Sequence, residues 1–126
     1  MTRLLDASTI LAVILGETGM ETAVSLLNGA SISTVNQSEV IRKLVDQGLT
    51  IDDAKAEFDR FELACVAFDQ AQSIEAARLR PLTRHLGMSF ADRACLALAG
   101  INGWVVYTAD RRWAEFNSNI DIRLIR

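Results

Sequence analysis

Four acidic residues stand in short apolar or small-residue settings: Leu5-Asp6-Ala7-Ser8, Gln37-Ser38-Glu39-Val40, Ser89-Phe90-Ala91-Asp92-Arg93 and Thr108-Ala109-Asp110. Gathered by a fold, such carboxylates repel one another and raise one another's pKa unless a cation joins them. Oxygen donors without an accompanying His or Cys set suit Mg²⁺ or Mn²⁺ better than zinc. Each acid also has an ordinary reading. Asp6 and Asp110 could cap the helices that follow them, Ser89-Phe90-Ala91-Asp92 has the pattern of a capping box, and Glu39 could lie on a helix surface.

The elements that must position these residues are legible in the alternation of the chain. Arg3 to Asp6 reads as a strand, with Ser8 capping a helix from Ile10 to Leu15 that Gly16 ends. Met20 to Leu27 reads as a helix, Ser31 to Val35 as a strand, and Val40, Ile41, Leu44 and Val45 recur at helical spacing up to Gly48. Thr50 caps a helix running to Phe61, Cys65 to Phe68 is a buried-strand candidate, and Gln70 to Leu79 returns to helix with Ile74, Ala77 and Leu79 as its apolar side. Ser89 starts a helix over Ala91 to Ala99, and Trp104 to Tyr107 is the clearest strand. A short helix from Asp110 to Phe116 and a strand from Ile120 to Leu124 follow. Strands alternating with helices imply an α/β domain around a mainly parallel sheet. Ligands in such sheets bind beyond the carboxyl ends of the strands. Asp6 and Asp110 close strands, while Glu39 and Asp92 lie in the first turns of helices, so all four are expected at that one edge.

Composition narrows the classes. With 126 residues, half of them hydrophobic, and a mean hydropathy of +0.19, the chain is expected to be one domain over residues 1–126 rather than a disordered segment. No apolar run approaches the ~20 residues of a membrane span, and Asp6 interrupts any signal-like start, so no membrane association and a cytoplasmic location are expected. Cys65 and Cys95, both in apolar surroundings, read as buried free thiols. The net charge is −3, but setting the four candidate acids aside leaves the remaining chain at +1. Arg78, Arg80, Arg84 and His85 form a basic stretch that reads as a solvated helix face, or as a phosphate contact if a metal pocket adjoins it.

These segments resemble the PIN-domain ribonucleases, and within them the VapC-type toxins of bacterial toxin–antitoxin pairs. The resemblance runs through Leu5-Asp6-Ala7-Ser8, Asn36-Gln37-Ser38-Glu39-Val40, the stretch from Leu86 to Ala99 that includes Ser89-Phe90-Ala91-Asp92-Arg93-Ala94, and Tyr107-Thr108-Ala109-Asp110-Arg111-Arg112-Trp113. It implies a PIN-like three-layer sandwich with a mainly parallel five-stranded sheet flanked by helices. It implies a Mg²⁺-dependent endoribonuclease, Mn²⁺ being an alternative, with Asp6, Glu39, Asp92 and Asp110 as the catalytic, metal-holding quartet. Asp6 and Asp92 would be the principal ligands, with Glu39 and Asp110 acting directly, through water, or on a second ion. Ser8, Asn36 and Thr108 match supporting positions, and Arg93, Arg111 and Arg112 are candidates for substrate phosphate. The implied partners are an RNA substrate, a small cognate antitoxin and a second copy in a homodimer. Ile14, Leu15, Leu44, Val45, Leu49, Phe58 and Phe61 supply apolar surface for core or for the antitoxin. Two rival readings remain. One is a catalytically silent PIN-like module that binds RNA or protein. The other is a phosphotransferase using Asp6 as nucleophile, which is disfavoured because no second Asp follows two residues on.

Overall fold

The computed structural model describes residues 2–126. In chain order the elements are β1 (Arg3–Leu5), α1 (Ala7–Leu15), α2 (Met20–Leu26), β2 (Ser31–Ser33), α3 (Thr34–Asp46), α4 (Ile51–Asp59), β3 (Ala64–Val66), α5 (Gln70–Arg78), α6 (Arg80–Thr83), a 3-10 turn (Arg84–Leu86), α7 (Phe90–Asn102), β4 (Val105–Thr108), a second 3-10 turn (Arg111–Glu115) and β5 (Ile122–Leu124). The five strands form one sheet in the order β3-β2-β1-β4-β5, and every neighbouring pair is parallel. From β1 the chain builds outward through β2 to β3, then returns to place β4 on the other flank of β1. The order therefore reverses between β1 and β4, the place where ligands bind in open parallel sheets.

Successive strand residues face opposite sides, and β1 shows the consequence. Leu4 joins a core with Ala76, Leu79, Leu96, Val106 and Trp113, which lies under α5 and α7. Leu5 joins Ile10, Ile32, Val40, Leu44, Ala54 and Phe58 beneath α1, α3 and α4. The result is the three-layer α/β sandwich expected from the sequence. Among the described residues, no single helix is long and apolar enough to cross a membrane.

Local chemistry sets the helix ends. Gly16 adopts a left-handed conformation at φ 65 and ends α1 through its N–H to the Ala12 carbonyl. Thr50, Asp69 and Ser89 each accept a backbone N–H three residues on, and Ser89 with Asp92 forms a full capping box at α7.

Four expectations are corrected. Asp6, not Ser8, caps α1, by accepting from Thr9 N. The second strand stops at Ser33, whose hydroxyl accepts from Val35 N, so α3 begins at Thr34. The third strand is a sheet edge, which leaves Cys65 exposed while Cys95 is buried as expected. The inward side of α5 carries Gln72 and Ala76 and continues into Leu79, buried as expected, whereas Ile74 is 65% exposed and Ala77 is exposed; Gln72 Nε2 donates to the Ala67 carbonyl on the inward side. The short helix α6 has Pro81 in its first turn, a position where a missing N–H costs nothing, and holds part of the basic stretch; Arg80, Arg84 and His85 are all exposed.

Candidate active site

Asp6 directly follows β1, and its N–H donates to the Tyr107 carbonyl, which pins it beside β4 at the switch point. Its carboxylate is 5% exposed and accepts from Ser8 Oγ (2.7 Å), Thr9 N (3.0 Å), Thr9 Oγ1 (3.1 Å) and Thr108 Oγ1 (2.6 Å). Desolvation outweighs these four donors and pushes its pKa up to about 6. Thr108 is the hinge of the arrangement: its hydroxyl donates to Asp6 and accepts from Asp110 N (3.0 Å). Ser8 Oγ likewise bridges, accepting from Ala109 N at 2.9 Å.

Glu39 projects from α3. Its Oε2 accepts from Asn36 Nδ2 (2.8 Å), and the same amide donates to the Ala91 carbonyl (3.2 Å), tying α3 to the first turn of α7. Asp92 sits in that first turn, where its Oδ2 accepts from Ser89 N (2.9 Å). Burial raises the pKa of Glu39 and of Asp92. Negative neighbours add to the effect, Asp92 acting on Glu39 and Asp110 acting on Asp92. Asp110 differs: the Arg112 guanidinium holds its carboxyl below the usual range.

All four acids line one cleft of about 160 Å³, together with Ala7, Ser8, Leu11 and Arg42. The geometry explains why four scattered residues meet. Asp6 and Asp110 follow the central strands β1 and β4, while Asp92 lies in the first turn of α7 and Glu39 in the second turn of α3, helices that pack at the same sheet edge. Arg42 is the lining residue that sequence reasoning passed over. The available signal was its spacing, since residues three apart on a helix share a face and Arg42 follows Glu39 by three.

The candidate phosphate-binding arginines are not gathered there. Arg93 turns away, donating from Nη1 to the Ala76 carbonyl (2.8 Å) with its guanidinium over Phe90. Arg111 donates to the Arg126 carbonyl (3.2 Å), and Arg112 is paired with Asp110. Among the described residues, no three acidic, His or Cys side chains sit close enough to chelate an ion as they stand. Each carboxylate is instead turned to its own hydrogen-bond donors.

Residues 3–118 match the family model described as PIN domain. The chain belongs to the PIN-domain family. Its fold is similar to that of three solved toxin–antitoxin complexes. DNA-bound VapBC2 from Rickettsia felis has a TM-score of 0.77 at 15% identity, covering 98% of each chain. DNA-bound VapBC from Salmonella typhimurium gives 0.76 at 20% identity, covering 100% of this chain and 99% of that one. VapBC-1 from nontypeable Haemophilus influenzae gives 0.75 at 12% identity, with 99% and 98% covered. Among curated proteins, no sequence matches.

The donor set of this PIN domain fits a hard divalent cation. The lining offers four carboxylates and the Ser8 hydroxyl, all oxygen donors. At ~30 Å³ per water, the cleft has room for an ion that keeps several waters. The raised pKa values of Asp6, Glu39 and Asp92 record a cost that a cation would remove.

Proposed function

We propose that this PIN domain is a metal-dependent endoribonuclease acting as the toxin of a toxin–antitoxin pair. The observation that carries the reading is the cleft at the β1–β4 switch point, lined by three buried or half-buried carboxylates whose pKa values burial raises despite the nearby charges of Arg42 on Glu39 and Arg112 on Asp92. Asp6, Glu39 and Asp92 would hold Mg²⁺ or Mn²⁺, with Asp110 joining through water. When bound, the ion supplies Lewis-acid polarisation of a phosphodiester and a water of lowered pKa.

The protein's own contribution is orientation. Ser8, Thr9 and Thr108 fix both oxygens of Asp6, Asn36 fixes Glu39, and the Ser89 amide fixes Asp92. Arg42, at the cleft wall and paired with Asp46 at 2.8 Å, would meet a phosphate of the substrate. Low exposure of Asp6 keeps bulk water from competing for its lone pairs.

The toxin role is supported by the kinship in fold with chains of VapBC toxin–antitoxin complexes. A small antitoxin covering the cleft is the partner that this reading requires. Val45, 40% exposed, and Ile51, 62% exposed, flank Arg42 and extend an apolar strip away from the cleft, suited to a partner's apolar side chains. A homodimer in the cytoplasm is the setting that accompanies the proposal.

Cleavage of labelled RNA, and of DNA of the same sequence, by the purified chain tests the activity. Cutting of RNA with Mg²⁺ or Mn²⁺, abolished by chelator and by Asp6→Asn or Asp92→Asn, is the expected result. Equal cutting by the wild type and both variants, or cutting in the presence of chelator, overturns the metal-site reading. Binding of RNA without cutting by the metal-loaded wild type favours the silent-module alternative.

A further inference from the structure

Arg112 is the most heavily bonded cation near the cleft. Its Nε donates to Asp110 Oδ1 (3.0 Å) and Oδ2 (3.2 Å), and Nη2 donates to Oδ2 (2.5 Å). On its other side, Nη1 donates to the carbonyls of Leu86 (3.1 Å) and Gly87 (3.4 Å). The backbone N–H of Arg112 also donates to Asp110 Oδ1 (3.0 Å). One planar group thus spans from the end of β4, which bears Asp110, to the turn leading into α7, which bears Asp92. Gly87 allows the approach: it stands at φ +67, and a Cβ there would lie 3.2 Å from Arg112 Nη1.

Exposed ion pairs usually contribute little, but a bidentate fork that also binds two carbonyls is ordered on both sides. Both Asp110 oxygens are occupied, so this carboxylate, alone of the four, is bonded directly to a guanidinium.

We propose that Arg112 is the built-in counter-cation of the Asp110 side, a positioning residue that restricts the cleft to one divalent ion, held by Asp6, Glu39 and Asp92. The proposal rests on the metal-dependent reading given above. One divalent ion, the Arg112 guanidinium and the Arg42 at the cleft wall balance the four carboxylates. Without the Arg112 guanidinium a net negative charge remains, and Asp110, with both oxygens released, becomes free to bind a second divalent ion. A lysine would retain the charge but not the fork.

Counting Mn²⁺ bound to the full chain, from the free-ion electron paramagnetic resonance signal at fixed protein concentration, tests this without any activity measurement. One bound ion is expected in the wild type, two in Arg112→Gln, and one in Arg112→Lys. The double variant Arg112→Gln/Asp110→Asn is expected to return to one. Asp110→Asn alone, which leaves Arg112 its carbonyl partners, should still bind one ion, weakened by no more than the ~10–100-fold of a lost outer partner. Two ions in the wild type, one ion in a folded Arg112→Gln protein, or complete loss of binding in folded Asp110→Asn overturns the proposal while leaving metal dependence standing. No Mn²⁺ bound by the wild type overturns both.

Discussion

Replacing Asp6 by Asn should stabilise the metal-free protein at neutral pH. Asp6 has an ordinary pKa of 3.8 and one of about 6 in the fold, raised by burial. The folded state therefore holds its proton more tightly than the unfolded chain. Linkage then makes the stability highest below pH 3.8, lost as pH rises through about 6, and constant above it as far as this group is concerned. The difference of roughly two pKa units corresponds to about 3 kcal/mol at pH 7.5. Asn is a neutral isostere that can still accept from Thr9 N, so it avoids the cost of an ionised buried carboxylate. Urea unfolding with chelator present, followed by far-ultraviolet circular dichroism from pH 4.5 to 8, should show the wild type losing about 2 kcal/mol across this window, the rest of the difference lying below pH 4.5. Glu39 and Asp92, raised by burial and by their negative neighbours, add a further loss of the same sign. Asp6→Asn should flatten most of the curve and melt roughly 10 °C higher than wild type at pH 7.5. Saturating Mn²⁺ should reverse the order, stabilising the wild type and not the variant. Wild-type stability that is level or rises between pH 5 and 7.5 would falsify the reasoning, as would a variant with the same slope.

Two further substitutions probe what holds the site and the fold. Thr108→Val keeps the shape of the side chain but removes the donor to Asp6 and the acceptor for Asp110 N. It should cost about 1–3 kcal/mol in urea unfolding at pH 7.5 and less at pH 4.5, where Asp6 is protonated and needs the donor less. Gly19→Ala places a Cβ 2.9 Å from the Ile125 carbonyl oxygen at a residue with φ +94, so it should destabilise by at least ~1 kcal/mol, where Gly48→Ala, strained at φ +105 but with open space around it, loses less.

The parts of this fold that are written locally were legible in the chain. Gly16, Thr50 and the Ser89-Asp92 pair announce helix ends within three or four residues of themselves, and the alternation of elements brings Asp6, Glu39, Asp92 and Asp110 to one sheet edge. Much of what was not legible depends on partners far along the chain. Arg93, Arg111 and Arg112 adjoin two of the acids in sequence, yet the carbonyls that two of them bind lie at Ala76, Leu86 and Gly87, and the third reaches Arg126. Cys65-Val66-Ala67-Phe68 has the same composition whether its strand lies inside or at the edge of a sheet; only the strand order decides that Cys65 meets solvent. Ile74 looked like an inward residue because it is apolar. The side that turns inward instead carries Ala76 and Leu79 of the core together with Gln72, whose amide finds a carbonyl at Ala67.

The placement of β1 at the centre of the sheet bears on the birth of the protein. Arg3, Leu4 and Leu5 pair with Val105, Val106 and Tyr107, and the bond from Thr108 to Asp6 closes a separation of 102 residues. A ribosome synthesising the chain from its amino end delivers Asp6 and Glu39 early but withholds Asp92, β4 and Asp110 until most of the polypeptide has emerged. Contacts of such long range form only after the intervening chain exists to be looped. On the proposed reading, a nascent toxin is harmless to the messenger that encodes it and to the ribosome that is making it, and a prematurely terminated copy never acquires the means to cut.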